Sequence, residues 1–222
     1  MNSYHKLIGD VIILFLLTGC VIPSVHPLYK PDDLIIKPEL TGKWKNKSGT
    51  TVYRVVNIQD IKNNKAIRDS LDMGDDFSED FEEIGLNNIY LIFDNDVIAS
   101  DIDDADTEAY LAGLLKLDNN YYLDLYKYPN LQDNFSYPVH IFVKLELGDN
   151  QITMHEFREQ WIKDLIKNRQ IRIKHEESFD NFLLTASSEE LQNFVRKYGK
   201  NPDAFSSNTE TFIKIDADEA AE

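Results

Sequence analysis

The sequence predicts an α+β protein, mainly β: an antiparallel barrel- or sandwich-like sheet with about two flanking amphipathic helices. Three patterns carry that expectation. Apolar residues alternate with His140, Phe142, Lys144 and Glu146 from Val139 to Leu147, the two-residue period of a strand with one buried face. The triplets Asp118-Asn119-Asn120 and Gly148-Asp149-Asn150 each separate two apolar runs, so consecutive strands read as antiparallel hairpins. Two stretches shift to the helical period of 3.6. Consecutive hairpins with helices packed on them give a barrel or a sandwich.

In chain order, Leu40-Thr41-Gly42-Lys43-Trp44 opens the folded part, and Val52 to Ile58 is β-branched and aromatic. Ile89 to Phe93 is a short apolar run. Leu111 to Leu117 and Tyr121 to Tyr126 flank the first triplet. Ile152 and Met154 continue the inward phase of Val139 to Leu147 beyond the second. Phe157, Trp161 and Leu165 then recur every four residues, with Ile162 and Ile166 beside them, and predict the first helix. Leu191, Phe194, Val195 and Tyr198 predict the second, with Ser187 and Glu190 as a capping box and Gly199 and Pro202 as its stop. Ile171 to His175, Phe182 to Thr185 and Thr211 to Ile215 are further strand candidates. There is no internal repeat.

The 222 residues are 42% hydrophobic, enough for a packed core. The formal net charge is −16, with 39 acidic against 23 basic residues. A nucleic-acid partner needs Lys and Arg to replace counterions on phosphates, so that class is excluded. The single cysteine, Cys20, forms no intramolecular disulfide, no Cys-x-x-Cys pair and no multi-cysteine zinc site.

Cys20 follows an apolar run from Val11 to Leu17, preceded by Lys6. Seven helical residues reach roughly 10 Å, far short of a hydrocarbon core about 30 Å thick. A basic start, a short apolar stretch and small residues make the secretory layout, although Asp10 is unusual there. Leu17-Thr18-Gly19-Cys20 resembles the lipobox of bacterial lipoproteins. The resemblance implies cleavage of a signal peptide, residues 1–19, and a lipid thioether on the Cys20 sulfur. It implies membrane attachment through that lipid and a place in the bacterial cell envelope. Val21, where an Asp favours the inner membrane, points to the outer membrane.

Residues 20–38 carry four of the seven prolines, Pro23, Pro27, Pro31 and Pro38, and read as a tether below a single globular domain, residues 39–222. His26 to Trp44 and Phe182 to Gly199 resemble matching stretches in a group of uncharacterised bacterial lipoproteins, a likeness that brings no activity and no catalytic residue. Gly42-x-Trp44 also resembles the lipocalins, in which the Trp closes one end of a barrel that binds apolar ligands. A buried Trp at the edge of any β core has the same appearance.

An acidic insertion spans about residues 62–108. Between Asp69 and Leu115 stand fifteen acids and no Lys or Arg, nearly the whole net charge. Three readings stay open: a solvated insertion, a calcium site and a surface for a cationic protein or polymer. Hard cations take several carboxylate oxygens, and Asp101, Asp103, Asp104, Asp106 and Glu108 supply them, without the glycine and terminal Glu spacing of an EF-hand.

Catalytic signatures are sparse. His155 and Glu159 have the spacing of two ligands on a zinc-protease helix, but no third is in view and Ile152 and Met154 argue for strand. His140 is expected on a solvated face. Tyr122, Tyr126 and Tyr128 share a face with Asp124, which fits sugar or peptide binding or plain cross-strand packing. There is no Gly-x-Ser-x-Gly elbow and no phosphate loop. The expectation is a lipid-anchored envelope protein with a non-enzymatic binding or structural role and no cofactor beyond calcium. Two alternatives remain: a lipocalin-like carrier, with a deep apolar cavity beside Trp44, and an envelope hydrolase using Asp, Glu or His, with a cleft where such groups converge. Oligomeric state stays open.

Overall fold

The computed structural model of the chain describes residues 21–47, 49, 51–70, 86–94, 109–127, 139–179 and 181–215. Eleven strands occur among them: β1 (Pro23–Ser24), β2 (Gly42–Asn46), β3 (Val52–Asn57), β4 (Ile89–Asp94), β5 (Ala109–Leu117), β6 (Asn120–Lys127), β7 (His140–Leu147), β8 (Gln151–Phe157), β9 (His175–Ser178), β10 (Asn181–Leu184) and β11 (Phe205–Ile215). Four helices accompany them: α1 (Ile58–Asn63), α2 (Lys65–Ser70), α3 (Glu159–Lys167) and α4 (Ser188–Tyr198).

Eight strands close into one antiparallel barrel. β2 to β8 pair with their sequence neighbours, and β11 fills the last place between β8 and β2. Each barrel strand therefore has two partners, and the sheet has no free edge around the ring. Of the two expected architectures, barrel and sandwich, the barrel is the one formed. The hairpin signals act as expected: Leu117 pairs with Asn120 and Leu147 with Ile152. Asp118 takes φ 54°, a left-handed turn conformation that Asp tolerates.

The remaining elements cover the outside. β1 pairs with the first residues of β7 and carries β10 and β9 outward as a small extension. α4 has the expected capping box of Ser187 and Glu190 and buries Leu191, Phe194 and Val195. These residues join Leu28, Leu115, Tyr122, Phe142, Phe157 and Phe182 in an outer core over β5 to β8. α1 and α2 lie over the other side, where Ile58 and Ile61 pack on Val56, Ile89, Leu91 and Phe93. Those two helices were not expected. The signal for α1 is the Asn57 cap, whose side chain accepts from Gln59 N, and two apolar residues three apart. The span assigned to the acidic insertion thus contains α2, part of α1 and the barrel strand β4.

Three further expectations need correction. Phe157, taken as the first residue of a helical stripe, ends β8, and α3 begins at Glu159. Residues 171–174 are not strand; β9 starts at His175. The proline-rich stretch is a docked strap rather than a free tether. Ile22 is buried just before its first proline, and Leu28, Tyr29 and Leu34 are buried between its later ones. Leu28 N–H donates to Asp124 Oδ2 at 2.6 Å, and Gln192 Nε2 donates to Leu28 O at 3.0 Å. Prolines remove donors from such a segment, but the apolar residues between them still bury. Gly113 makes room for this strap. A Cβ there would stand 2.8 Å from two ring carbons of Tyr29 and 2.9 Å from Leu34 Cδ2.

Candidate functional site: the barrel lumen

Strand alternation sends every second side chain inward. On β7 the inward set is Ile141, Val143 and Leu145; on β8 it is Ile152, Met154 and Glu156. Leu123 and Leu125 come from β6, Tyr110 and Ala112 from β5, Tyr90 and Ile92 from β4. These side chains do not fill the barrel. They surround a cavity of about 500 Å³, within the roughly 300–1,000 Å³ typical of small-molecule sites.

One end of the lumen is closed. The strap turns across it at Pro38–Leu40, and Leu40, Trp44 and Tyr90 are all buried there. Trp44 Nε1 donates to Leu40 O at 2.8 Å. Lys37 N donates to Tyr90 Oη at 2.6 Å, and Tyr90 Oη donates to Lys37 O at 3.1 Å. Burial pushes the Tyr90 hydroxyl up to about 12, so it stays a neutral donor. Lys214 Nζ donates to Glu39 O at 2.7 Å and sits 5.4 Å from the centre of the Trp44 ring. Gly42 permits this closure with φ 135° and with Lys214 Cε only 3.0 Å from where a Cβ would be.

The other end is polar. Asn46, Gly49 and Thr51 come from the β2–β3 hairpin, and Tyr53 and Tyr110 stand beside them. Glu156 and Glu210 line the same cavity from β8 and β11. Asn46 Nδ2 donates to Glu210 Oε2 at 3.3 Å. Burial, with repulsion from Glu210, pushes the Glu156 carboxyl up to about 6. Burial raises Glu210 as well.

Cys20, Asp101, Asp103, Asp104, Asp106 and Glu108 lie outside the described residues, as does Tyr128. Among the described residues, no group of three or more His, Cys, Asp or Glu is placed to hold a metal ion. Tyr122, Asp124 and Tyr126 do share the outer face of β6, but it is no open binding face. Tyr122 and Asp124 are buried beneath the strap and α4. His140, expected in solvent, is buried in the same place, and its Nδ1 lies 2.6 Å from Asp124 Oδ1. The strap and the tyrosines cover the outward face of β7, which alternation alone leaves exposed. His155 is in strand and Glu159 in helix, where Glu159 pairs with Lys163 at 2.6 Å, so they form no zinc-protease pair.

Glu156 and Glu210 were not anticipated, yet both carry a sequence signal. Each is an acid in an inward apolar phase, Glu156 after Ile152 and Met154, Glu210 before Phe212. No protein-family model, no curated protein and no solved structure matches the chain. The lumen itself is therefore what speaks for function: a closed eight-stranded antiparallel barrel around an apolar cavity, with its polar groups gathered at one end.

Proposed function

We propose that the chain is a lipid-anchored envelope protein that carries a small, mainly apolar ligand inside its barrel. The observation that supports this reading is the lined cavity of about 500 Å³, closed at one end by Trp44, Leu40 and Tyr90. Lipocalin-type barrels of eight up-and-down strands hold one small ligand in such a space. The lipobox-like Leu17-Thr18-Gly19-Cys20 supports the anchor, with the body held at the outer membrane. Hydrolysis fits the same lumen less well. An acid–base pair needs two groups whose pKa values are driven apart, and here burial drives both carboxyls in one direction.

The test uses a chain starting after Cys20 and the neutral lipophilic probe N-phenyl-1-naphthylamine. Trp44 lines the cavity, and replacing Trp161 by Phe leaves it as the single indole. Saturable quenching of Trp44 with a matching rise in probe emission is expected. Absence of saturable binding would overturn the carrier reading. For the anchor, Cys20→Ala is expected to move the full-length protein from the membrane fraction to the soluble one.

A further inference from the structure

Resting on the reading of the lumen as a ligand cavity, we propose that its ligand is an amphiphilic cation, with a protonated amine or similar head at Glu156 and Glu210 and its hydrocarbon part directed toward Trp44. Among the described residues lining the cavity, two are acidic and none is basic. A charge in an apolar enclosure is costly unless a counter-charge meets it. Asn46 is a neutral partner for Glu210, not a counter-charge.

Among the described residues, the cations on the barrel strands are turned elsewhere. Lys43, Lys45 and Arg54 alternate with the inward residues Trp44, Tyr53 and Val55, so they point out of the barrel. Lys144 lies over the Phe205 ring on the outer side. Lys214 is engaged with Glu39 O at the closed end. Lys127, opposite Tyr110, is exposed at the end of β6 and does not line the cavity. Tyr53, Tyr110 and Phe212 line the cavity with the two acids, and aromatic faces attract cations. The same arrangement excludes a fatty carboxylate, whose head would meet two like charges.

The experiment compares dodecylamine, dodecanol and dodecanoate, all below their micellar concentrations, as competitors of N-phenyl-1-naphthylamine at pH 7.5. The amine is expected to bind at least tenfold tighter than the alcohol, and the alcohol tighter than the carboxylate. In the double variant Glu156→Gln, Glu210→Gln the advantage of the amine should vanish while the alcohol binds as before. The ranking in the unaltered protein already decides the matter if that variant does not fold. Equal binding of amine and alcohol, or an advantage that survives the double variant, would overturn the cationic ligand while leaving the cavity reading intact. Failure of all three and of the neutral probe would overturn both.

Discussion

The inner and outer faces of β5 to β8 are built from similar residues and end up in opposite states. Outward, Leu115, Tyr122, Phe142 and Phe157 meet the strap, α4 and β10, and that side is filled. Inward, Ala112, Leu123, Val143 and Leu145 meet the cavity. Composition does not separate the two faces. The difference is that a barrel of eight strands holds its inner side chains apart, whereas the outer side receives strap and helices that move in until they touch. The outer core thus carries the packing, and the lumen is left with room for a ligand.

This contrast is most sharply tested by truncation on either side. Phe157 is 2% exposed and contacts the rings of Phe142, Phe194 and Phe205. Phe157→Ala should cost about 3–5 kcal/mol in denaturant unfolding. Val143→Ala, on the lumen side, should cost about 1 kcal/mol, because it widens a space that already exists. Equal losses would mean that the lumen is packed as tightly as the outer core.

The strap is next in expected size. Asp124 is fully buried between His140 Nδ1 and Leu28 N–H, each at 2.6 Å. Burial pushes its carboxyl up, and those two partners pull it back toward the ionised form. Asp124→Ala leaves both partners buried and unpaired, and should cost about 3 kcal/mol. Hydrogen exchange at the Leu28 amide should rise with it. A stability loss without faster exchange there would show that the pair serves the barrel rather than the strap.

Neighbouring residues on β5 give a third test. Ala112 faces the lumen and Gly113 the strap. A single methyl in Gly113→Ala meets the Tyr29 ring and should cost about 2 kcal/mol. The far larger Ala112→Phe grows into open space and should change stability by less than about 1 kcal/mol, while weakening the naphthylamine probe at least tenfold.

The legible part of the fold was local. Alternation in Val139 to Leu147 and the Asp118 and Gly148 turns are short-range signals, and each became a barrel hairpin. The capping box of α4 was equally plain. What covers a face is not local. His140 reads as solvated because the strap that buries it comes from far earlier in the chain and is broken by prolines. The lumen was legible only through Gly42-x-Trp44. Glu156 and Glu210 were hidden because they lie 54 residues apart and meet only after β11 closes the ring between β8 and β2.

The smallest expected effect concerns the charge left in the lumen. The Glu156 carboxyl is raised from 4.5 to about 6 in the folded protein. The folded state therefore holds this proton more tightly than the unfolded chain, and the contribution to stability falls as pH rises from about 4.5 to 6. Glu210, on the neighbouring strand β11 opposite Met154, is raised in the same direction, so both acids act with one sign. Glu156→Gln should leave the melting temperature unchanged near pH 4. Near pH 7.5 it should raise it by about 2–4 °C, a gain of about 1 kcal/mol after solvent screening. A solvent-facing carboxylate on the outer side behaves in the opposite way: Glu190, bonded to Ser187 and Lys174, is lowered, and its loss should destabilise at neutral pH. Saturating dodecylamine should shrink the gap between wild type and Glu156→Gln, because a bound cation offsets in the wild type the same repulsion that the amide removes. A gap that persists with the amine bound would place the cost of Glu156 in desolvation alone and leave its neighbour Glu210 out of the account.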